Sequence, residues 1–341
     1  MSATLKHHEA QAVVHRVPES VARSASGPVI LGYALLVACL FLAFRSSCAS
    51  IANAWMTTVG LSHGFLLLGI AIFELVRRLR EMQPVRLDDS PVWLIVGAVL
   101  ASMVYAVGVL AGIKSIELGA MPLIFATATG VYWGWSKRTL AVPALLMIFA
   151  VPGFYVLIPA LQEIAVAVVS VLTHAAGIPA YVHGHYITLP AGTLEVADGC
   201  SGIHQLVVGS LLGVLYVIWN RIEARAIPLV VSAAVLVSLV GNWIRIFILV
   251  VVANATNMEH PWIRIDHSRM GWTVFAICQA VFLLILRYLV FRNPLDADCE
   301  AVRVEEAPSR PSQICRRAAL AAGLALSSLV VTEAAALLNK A

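Results

Sequence analysis

The chain has 341 residues, of which 60% are hydrophobic and only 12% are charged, and its formal net charge is +4. A soluble domain could not bury so many apolar side chains, so this composition excludes a soluble enzyme and indicates a polytopic membrane protein. The basic residues lie between hydrophobic runs, where they act as topology signals, and we expect no nucleic-acid partner.

Residues 1–26 are polar and predict a cytoplasmic tail, because they contain no apolar block and no convincing signal-peptide cleavage site follows them. A series of apolar runs comes next, most of them near the roughly 20 residues that a membrane span needs. The runs cover residues 28–44, 60–76, 91–113, 116–135, 139–158, 160–177, 203–219, 227–255, 271–291 and 318–338.

Clusters of arginine and lysine predict which loops face the cytoplasm. They follow the second, fourth, seventh and ninth runs, in residues 77–86, 137–138, 221–225 and 287–317. Counting crossings from either end then puts Cys200 on the outer side only if the run 160–177 does not cross the membrane. This run carries several polar residues between Pro159 and Pro179, which predicts a re-entrant or interfacial helix.

The predicted fold is therefore an all-α polytopic membrane protein with about eight transmembrane helices and one re-entrant or interfacial helix. We predict that the transmembrane domain covers residues 27–293 and that residues 294–341 begin as a cytoplasmic linker. The apolar run 318–338 in that last segment could form an additional C-terminal span.

Residues 181–196 predict a short β-hairpin on the outer side of the membrane. Apolar and polar residues partly alternate on either side of Pro190 and Gly192, as in two strands joined by a tight turn. An irregular loop is the alternative, because alternation over so few residues is a weak strand signal. The hairpin would deliver Cys200 at the membrane surface.

The stretch from Glu195 to Gln205 joins this polar segment to the apolar run 203–219. Asp198 is a suitable helix N-cap, which would put Cys200 in the first helical turn. Unpaired backbone amides and the helix dipole favour a thiolate at that place. Cys200 is therefore a candidate nucleophile.

Arg245 lies inside the apolar run 227–255, and a charged residue within a span is a functional candidate because it is costly in lipid. A helix that starts at residue 227 in the cytoplasm rises about 27 Å by Arg245, which brings it near the outer edge of the bilayer, level with Cys200. Asn242 shares its helix face and could orient the guanidinium. An arginine that reaches the outer lipid headgroups is the alternative.

His267 lies directly before the ninth run and therefore at the same outer face. Arg269 is a second cationic candidate, and Arg264 is a weaker one. Cys200, Arg245 and His267 offer a nucleophile, a cation for developing oxyanion charge and a general acid or base, which suffice for acyl transfer. We expect neither a metal nor a cofactor, since no cysteine pair has a metal-binding spacing.

Three blocks of the sequence resemble the signature of the exosortase/archaeosortase family. The blocks are Glu195 to Ile203, Asn242 to Ile246 and His267 to Phe275, and Ser62 to Phe65 and Gly184 to Pro190 are similar to that family as well. The resemblance extends over residues 28–292. It implies a multispan transpeptidase that cleaves C-terminal sorting signals, often of the PEP-CTERM type, from secreted proteins.

The same resemblance implies a bacterial inner-membrane protein whose active site faces the periplasm. Its expected partners are secreted proteins with a tripartite C-terminal sorting signal, together with membrane lipid. A link to exopolysaccharide export is a further expectation.

The resemblance also implies roles for individual residues. Cys200 would be the nucleophile, Arg245 the cation that stabilises the thiolate or the oxyanion, and His267 the general acid or base. Ser268 follows this histidine where the family often has an acidic residue. His204 is the alternative base, because it follows Cys200 by four residues and would share its helix face.

Four further residues are supporting candidates. Asp198, Ser201 and Gly202 belong to the Cys200 block, and His63 lies near the outer face in the predicted topology. His63 would bind substrate or support the site, with capping of a helix as its alternative role.

Two other functions stay open at this point. Gly199-Cys200-Ser201-Gly202 also fits the Gly-x-Ser-Gly pattern of rhomboid-like serine proteases, with Ser201 as the nucleophile. Alternatively, Arg245 and Asn242 could line the path of an anion transporter, together with a helix broken between Pro152 and Pro159.

Overall fold

The computed structural model describes residues 19–82, 87, 90–264, 267–292 and 311–338. In this part of the chain the α-helices are α1 (Glu19–Ala43), α2 (Arg45–Thr57), α3 (Gly64–Glu81), α4 (Val92–Leu110), α5 (Lys114–Trp133), α6 (Val142–Leu146), α7 (Ile158–Ala175), α8 (Ile203–Trp219), α9 (Ile227–Ala255), α10 (Pro261–Arg264), α11 (His267–Arg292) and α12 (Pro311–Leu338). The strands are β1 (Tyr181–His183), β2 (Tyr186–Leu189) and β3 (Gly192–Glu195). The fold is mainly helical, as predicted.

Five helical segments of the described residues have the length and apolar composition of a membrane span. They are Val92–Leu110, Pro152–Ala175, Asp198–Trp219, Ile227–Ala255 and Arg269–Leu289. The bent pair α1 and α2, whose axes differ by 78°, would add a sixth. The chain is thus a multi-pass membrane protein, and the number of about eight spans stays a prediction.

Helices α1, α2, α4 and α5 pack into one bundle around an aromatic core. Tyr33 of α1 packs against Tyr132 and Trp133 of α5, with ring centroids 5.6 and 5.4 Å apart. Phe44, at the end of α1, meets Tyr105 of α4 edge-on at 5.1 Å. Large aromatic side chains therefore fill the space between the first helices.

The C-terminal helix α12 packs into the same bundle, against α1, α4 and α5. Its residues Ala321 and Ala325 are almost fully buried. Ser102 of α4 donates a hydrogen bond to the carbonyl of Leu324 at 2.8 Å. The predicted domain boundary at residue 293 and the additional span stay predictions, but α12 contributes to the core.

The apolar run 139–158 does not form one helix. It consists of the 3-10 helix Trp135–Ala141, α6 and the 3-10 helices Met147–Ala150 and Pro152–Leu157. Pro143 and Pro152 lack the backbone N–H that a continuous helix needs, so the prediction of a regular span here is wrong. These short helices nevertheless all pack along α5. Gly153 lies against the carbonyl of Ser115, near the start of α5.

Helix α7 covers the run predicted to be re-entrant or interfacial. Its residues Ala165, Val166 and Val169 are buried against the sheet and the last turns of α9. Its Leu161 packs against Ile203 at the start of α8. By length and composition this helix could span a membrane, but these contacts keep it beside the sheet.

The three strands form an antiparallel sheet in the order β1-β2-β3. Strands β2 and β3 are the predicted hairpin, turned after Pro190, and β1 is an additional strand that the sequence did not predict. One face of the sheet buries Ile187 and Leu189 under α7 and α9. The other face exposes Tyr181 and Tyr186.

Helices α8, α9 and α11 approach one another closely because small residues line their contact, as is common between membrane helices. Gly209 of α8 lies against Ser238 of α9, and Gln279 of α11 donates a hydrogen bond to the Ser238 hydroxyl at 2.9 Å. This contact brings the first turns of α8 and α11 to the face of α9 that carries Arg245.

Candidate active site

Cys200 ends a single 3-10 turn, Asp198–Cys200, that precedes α8. Helix α8 begins at Ile203, and its N-cap residue is Gly202, whose φ of 91° is left-handed. The prediction that Asp198 caps this helix is therefore wrong, since Gly202 separates the turn from α8. Cys200 lies half-buried just before the helix, not in its first turn.

Each backbone carbonyl from Val196 to Cys200 accepts a hydrogen bond. Val196 O accepts from Gln162 Nε2 at 2.9 Å, Ala197 O and Asp198 O accept from the amides of Cys200 and Ser201, Gly199 O accepts from Arg245 Nη1 at 3.3 Å, and Cys200 O accepts from Asn242 Nδ2 at 3.0 Å. Since Gln162 belongs to α7 and the other two side chains to α9, both helices hold the turn.

The guanidinium of Arg245 reaches the thiol itself. Its Nη2 lies 3.6 Å from Cys200 Sγ, while its Nη1 holds the carbonyl of Gly199. Arg245 is only 4% exposed, and within the described residues it forms no ion pair with a carboxylate. Burying a cation without a carboxylate partner is costly, so among the described residues the positive charge is available to an anionic sulfur or oxygen at this place.

Two glycines make room for the side chains of α9. A Cβ at Gly271 of α11 would lie 2.6 Å from Nε of Arg245, and one at Gly202 would lie 2.8 Å from Nδ2 of Asn242. Carbon atoms in contact stay near 3.5 Å, so only glycine permits these approaches. Arg245 Nε and Asn242 Oδ1 are buried without a hydrogen-bond partner among the residues described.

His267 is the first residue of α11, and its side chain lies outside what the structure describes. Gly271, four residues later in the same helix, lies against Arg245. The backbone of α11 therefore brings the start of this helix to the Arg245 side of the site.

The ring of His204 lies against Gly60 and Tyr155. A Cβ at Gly60 would overlap with Nε2 of His204, and the Tyr155 ring meets the imidazole edge-on at 6.2 Å between centroids. The left-handed Gly202 interrupts the helix between Cys200 and His204, so the predicted helical spacing of four residues does not hold. The choice between His204 and His267 as base stays a prediction.

His63 precedes α3, at the end of the molecule where Gly60 meets His204. Its Nε2 forms a hydrogen bond with the carbonyl of Phe149 at 2.9 Å. Its side chain makes no capping hydrogen bond to α3, so the capping alternative is wrong. His63 instead ties α3 to the 3-10 helix Met147–Ala150.

Ser201 is buried, and its hydroxyl is fully engaged in the turn. It donates to the carbonyl of Asp198 at 2.7 Å and accepts from the amide of Ile203 at 3.3 Å. The serine therefore stabilises the connection between the Cys200 turn and α8.

The other two predicted arginines lie on the surface. Arg264 forms an exposed ion pair with Glu259 at 2.6 Å. Arg269 is exposed and lines an open depression with Trp272 and Ile277 of α11. Of these three arginines, Arg245 has the described contact with the Cys200 thiol.

Two residues, Gln162 and Gly271, have contacts in the site that the sequence did not predict. Gln162 stood out only as one of several polar residues in the run 160–177, and Gly271 only as part of a block similar to a family. A glutamine in an apolar run is a usable signal, because its buried amide needs hydrogen-bond partners. The role of Gly271 depends on a contact between α9 and α11 that no local pattern contains.

A family model described as transmembrane exosortase matches residues 55–284. The matched range includes the Cys200 turn, the whole of α9 and most of α11. No curated protein and no solved structure matches the chain. Because the match covers more than half of the chain, this protein belongs to the transmembrane exosortase family.

Proposed function

We propose that this protein is a membrane cysteine protease or transpeptidase that cleaves a C-terminal sorting signal from secreted proteins. The contact of 3.6 Å between Cys200 Sγ and Nη2 of the buried Arg245 carries the proposal. A cysteine beside a cation and a helix N-terminus has the surroundings of a nucleophile. Membership of the exosortase family supports the substrate class.

The chemistry begins when the Cys200 thiolate attacks the carbonyl carbon of the scissile peptide bond. The oxygen of the tetrahedral intermediate gains a negative charge, which Arg245 stabilises. His267 gives a proton to the leaving amine, the C–N bond breaks, and the substrate is left as a thioester on Cys200. Water or an acceptor amine then attacks the thioester and gives a proton to His267, the C–S bond breaks, and the product leaves with the thiolate and the protonated histidine restored.

The first turn of α11 supports the choice of His267 as general acid and base. Gly271 lies against Arg245, and residues four apart in a helix share a face. His204, the alternative, packs edge-on against Tyr155.

The proposed location is a bacterial inner membrane, with the site facing the periplasm. Trp219 Nε1 donates to Glu74 at 2.9 Å and Arg221 lies 3.7 Å from Glu81, so the arginine-rich end of α3 meets the end of α8. The Cys200 turn lies at the opposite end of α8. Since positive loops favour the cytoplasm, the Cys200 end is the outer one.

The proposed partners are secreted proteins whose tripartite C-terminal sorting signal holds a cleavage motif, an apolar span and a basic tail. The apolar span would lie in the bilayer beside the enzyme, in contact with lipid. The cleavage motif would then be level with Cys200 at the outer surface.

The hydrogen bonds of Ser201 and Arg245 disfavour the two alternatives, a rhomboid-like serine protease and an anion transporter. A serine protease would need the hydroxyl of Ser201, but both of its hydrogen bonds fix the turn. An anion transporter would need an accessible Arg245, but its Nη atoms face the thiol and a backbone carbonyl.

The test is processing of a secreted reporter with a C-terminal sorting signal, co-expressed with wild-type enzyme, Cys200→Ala or Ser201→Ala. Wild-type enzyme should release the reporter with a new C-terminus, which mass spectrometry identifies. We expect Cys200→Ala to release none at equal protein level, and Ser201→Ala to retain processing, reduced about tenfold by loss of hydrogen bonds in the turn. Processing that survives Cys200→Ala and is lost in Ser201→Ala would make the serine the nucleophile.

A further inference from the structure

The pairing of β2 with β3 shows which backbone groups of the sheet face outward. The amide of Val196 donates to the carbonyl of His185 at 2.8 Å, directly beyond the pair Tyr186 and Glu195. Hydrogen-bonded and non-hydrogen-bonded pairs alternate in an antiparallel ladder. The amides and carbonyls of Thr193 and Glu195 therefore point away from β2, toward the open edge of β3.

This edge has no backbone partner in the part of the chain that the structure describes. The sheet ends at β3, and neither Thr193 nor Glu195 takes part in a described hydrogen bond of its backbone outside the sheet. The side chains of both residues are exposed. An open strand edge with free donors and acceptors is a template for an added strand.

Strand β3 also leads to the nucleophile. Its first residue, Gly192, lies against Met258, just beyond the end of α9. Cys200 comes five residues after Glu195, the last residue of β3. It contacts Arg245, which lies about ten residues, or roughly 15 Å, before the end of α9. An extended chain that follows β3 from Gly192 is thus guided from beyond the end of α9 toward the thiol.

The opposite edge of the sheet is less suitable. On β1 the residue whose amide and carbonyl face outward is Val182, since Tyr181 and His183 pair with β2 in the hydrogen-bonded positions. Strand β1 is separated from β3 by two strand spacings, or about 10 Å, and it is not followed by the Cys200 turn.

We propose that the substrate polypeptide binds as an added strand along the open edge of β3, an inference that rests on the proposed function and specifies how the substrate is held. The bound segment precedes the scissile bond, because the apolar segment after that bond must return to the bilayer. It therefore runs parallel to β3, from Gly192 toward Cys200. Its backbone exchanges hydrogen bonds with Thr193 and Glu195, so recognition of this segment tolerates many sequences.

The test measures binding separately from chemistry. A fluorescently labelled polypeptide that carries a C-terminal sorting signal is titrated against full-length Cys200→Ala enzyme in detergent micelles. The same titration uses the double variant Cys200→Ala/Thr193→Pro, in which proline removes the outward amide and leaves the backbone hydrogen bonds to β2 in place. Val182→Pro is the matched control on the other edge, and Thr193→Val removes the hydroxyl that pairs with Thr188 at 3.1 Å.

We expect Thr193→Pro to weaken binding about tenfold, as loss of a backbone hydrogen bond with its partner left unpaired predicts. Val182→Pro and Thr193→Val should bind within about twofold of Cys200→Ala, a difference under 0.5 kcal/mol. Equal binding by Thr193→Pro and Cys200→Ala, an equal loss in Val182→Pro, or no binding at all would overturn docking at β3.

Failure of the proposed function has a different signature. In that case the wild-type enzyme would leave the bound polypeptide uncleaved, whatever the effect of Thr193→Pro on binding. A cleaved polypeptide whose binding is insensitive to Thr193→Pro would instead preserve the function and refute the docking edge.

Discussion

Buried charges have different partners in helices α3 and α5 and in the candidate active site. Glu74 of α3 and Glu117 of α5 are buried carboxylates, and each has a basic partner, Arg77 at 2.7 Å and Lys114 at 2.8 Å. Arg245 is buried to a similar degree but has no carboxylate partner among the described residues. Its Nη atoms contact a thiol and a backbone carbonyl.

The difference separates a structural charge from a functional one. A paired buried charge stabilises the particular packing of its helices, since removing one partner leaves the other uncompensated. Among the described residues Arg245 has no such partner, and costly buried charges of this kind gather at functional sites. The comparison predicts that changes near Arg245 affect chemistry and that changes at Glu74 affect folding.

Among substitutions that leave Cys200 and Arg245 themselves unchanged, Gly271→Ala has the largest expected effect. The new Cβ would lie 2.6 Å from Nε of Arg245 and would move the guanidinium away from Cys200. Loss of one well-placed donor for an oxyanion typically costs about 100-fold in rate, so processing of the reporter should fall by about that factor. Single-turnover cleavage by purified enzyme measures the change.

Gly69→Ala is the matched control for this substitution, because a Cβ at Gly69 of α3 would meet nothing within 4 Å. It should leave the cleavage rate within about twofold of wild type, and it gains a little helix propensity. A wild-type rate for Gly271→Ala would show that the close approach of α11 to Arg245 does not matter for chemistry.

A smaller effect, on stability alone, is expected for Glu74→Gln. The neutral amide leaves Arg78 without its carboxylate and leaves Arg77 with only the more exposed pair to Glu81, so the free energy of unfolding should fall by about 3 kcal/mol. Thermal unfolding in detergent micelles measures the loss, and the cleavage rate per folded molecule should stay unchanged. Glu81→Gln, which breaks only exposed pairs, should cost under about 1 kcal/mol. A stable but inactive Glu74→Gln enzyme would contradict the comparison.

The sequence predicted that Cys200 and Arg245 lie at one level, from the positions of the basic loops and the rise of a helix that starts at residue 227. The structure brings the two side chains into contact, and the side of the membrane on which they lie stays a prediction. The hairpin before the cysteine was also predictable, because the turn residues around Pro190 interrupt the alternation. These features depend on local patterns.

Other features depend on contacts that no local pattern contains. Gly202, between the Cys200 turn and α8, has no room for a side chain because Asn242 of α9 occupies that space. The apolar run 139–158 reads as one helix by hydropathy, but its prolines divide it. The prediction of a helix cap at Asp198 was wrong because Gly202, which lies against Asn242 of α9, is the N-cap residue of α8.

Acylation of Cys200 in the Arg245→Ala variant shows directly whether the buried guanidinium takes part in the reaction. Mass spectrometry would follow the thioester between substrate and Cys200 in a single turnover. We predict that thioester formation falls at least about 100-fold in Arg245→Ala, while the midpoint of thermal unfolding stays near that of wild type. A wild-type rate of acylation, or a loss of stability as large as in Glu74→Gln, would mean that Arg245 stabilises the fold and does not act in the reaction.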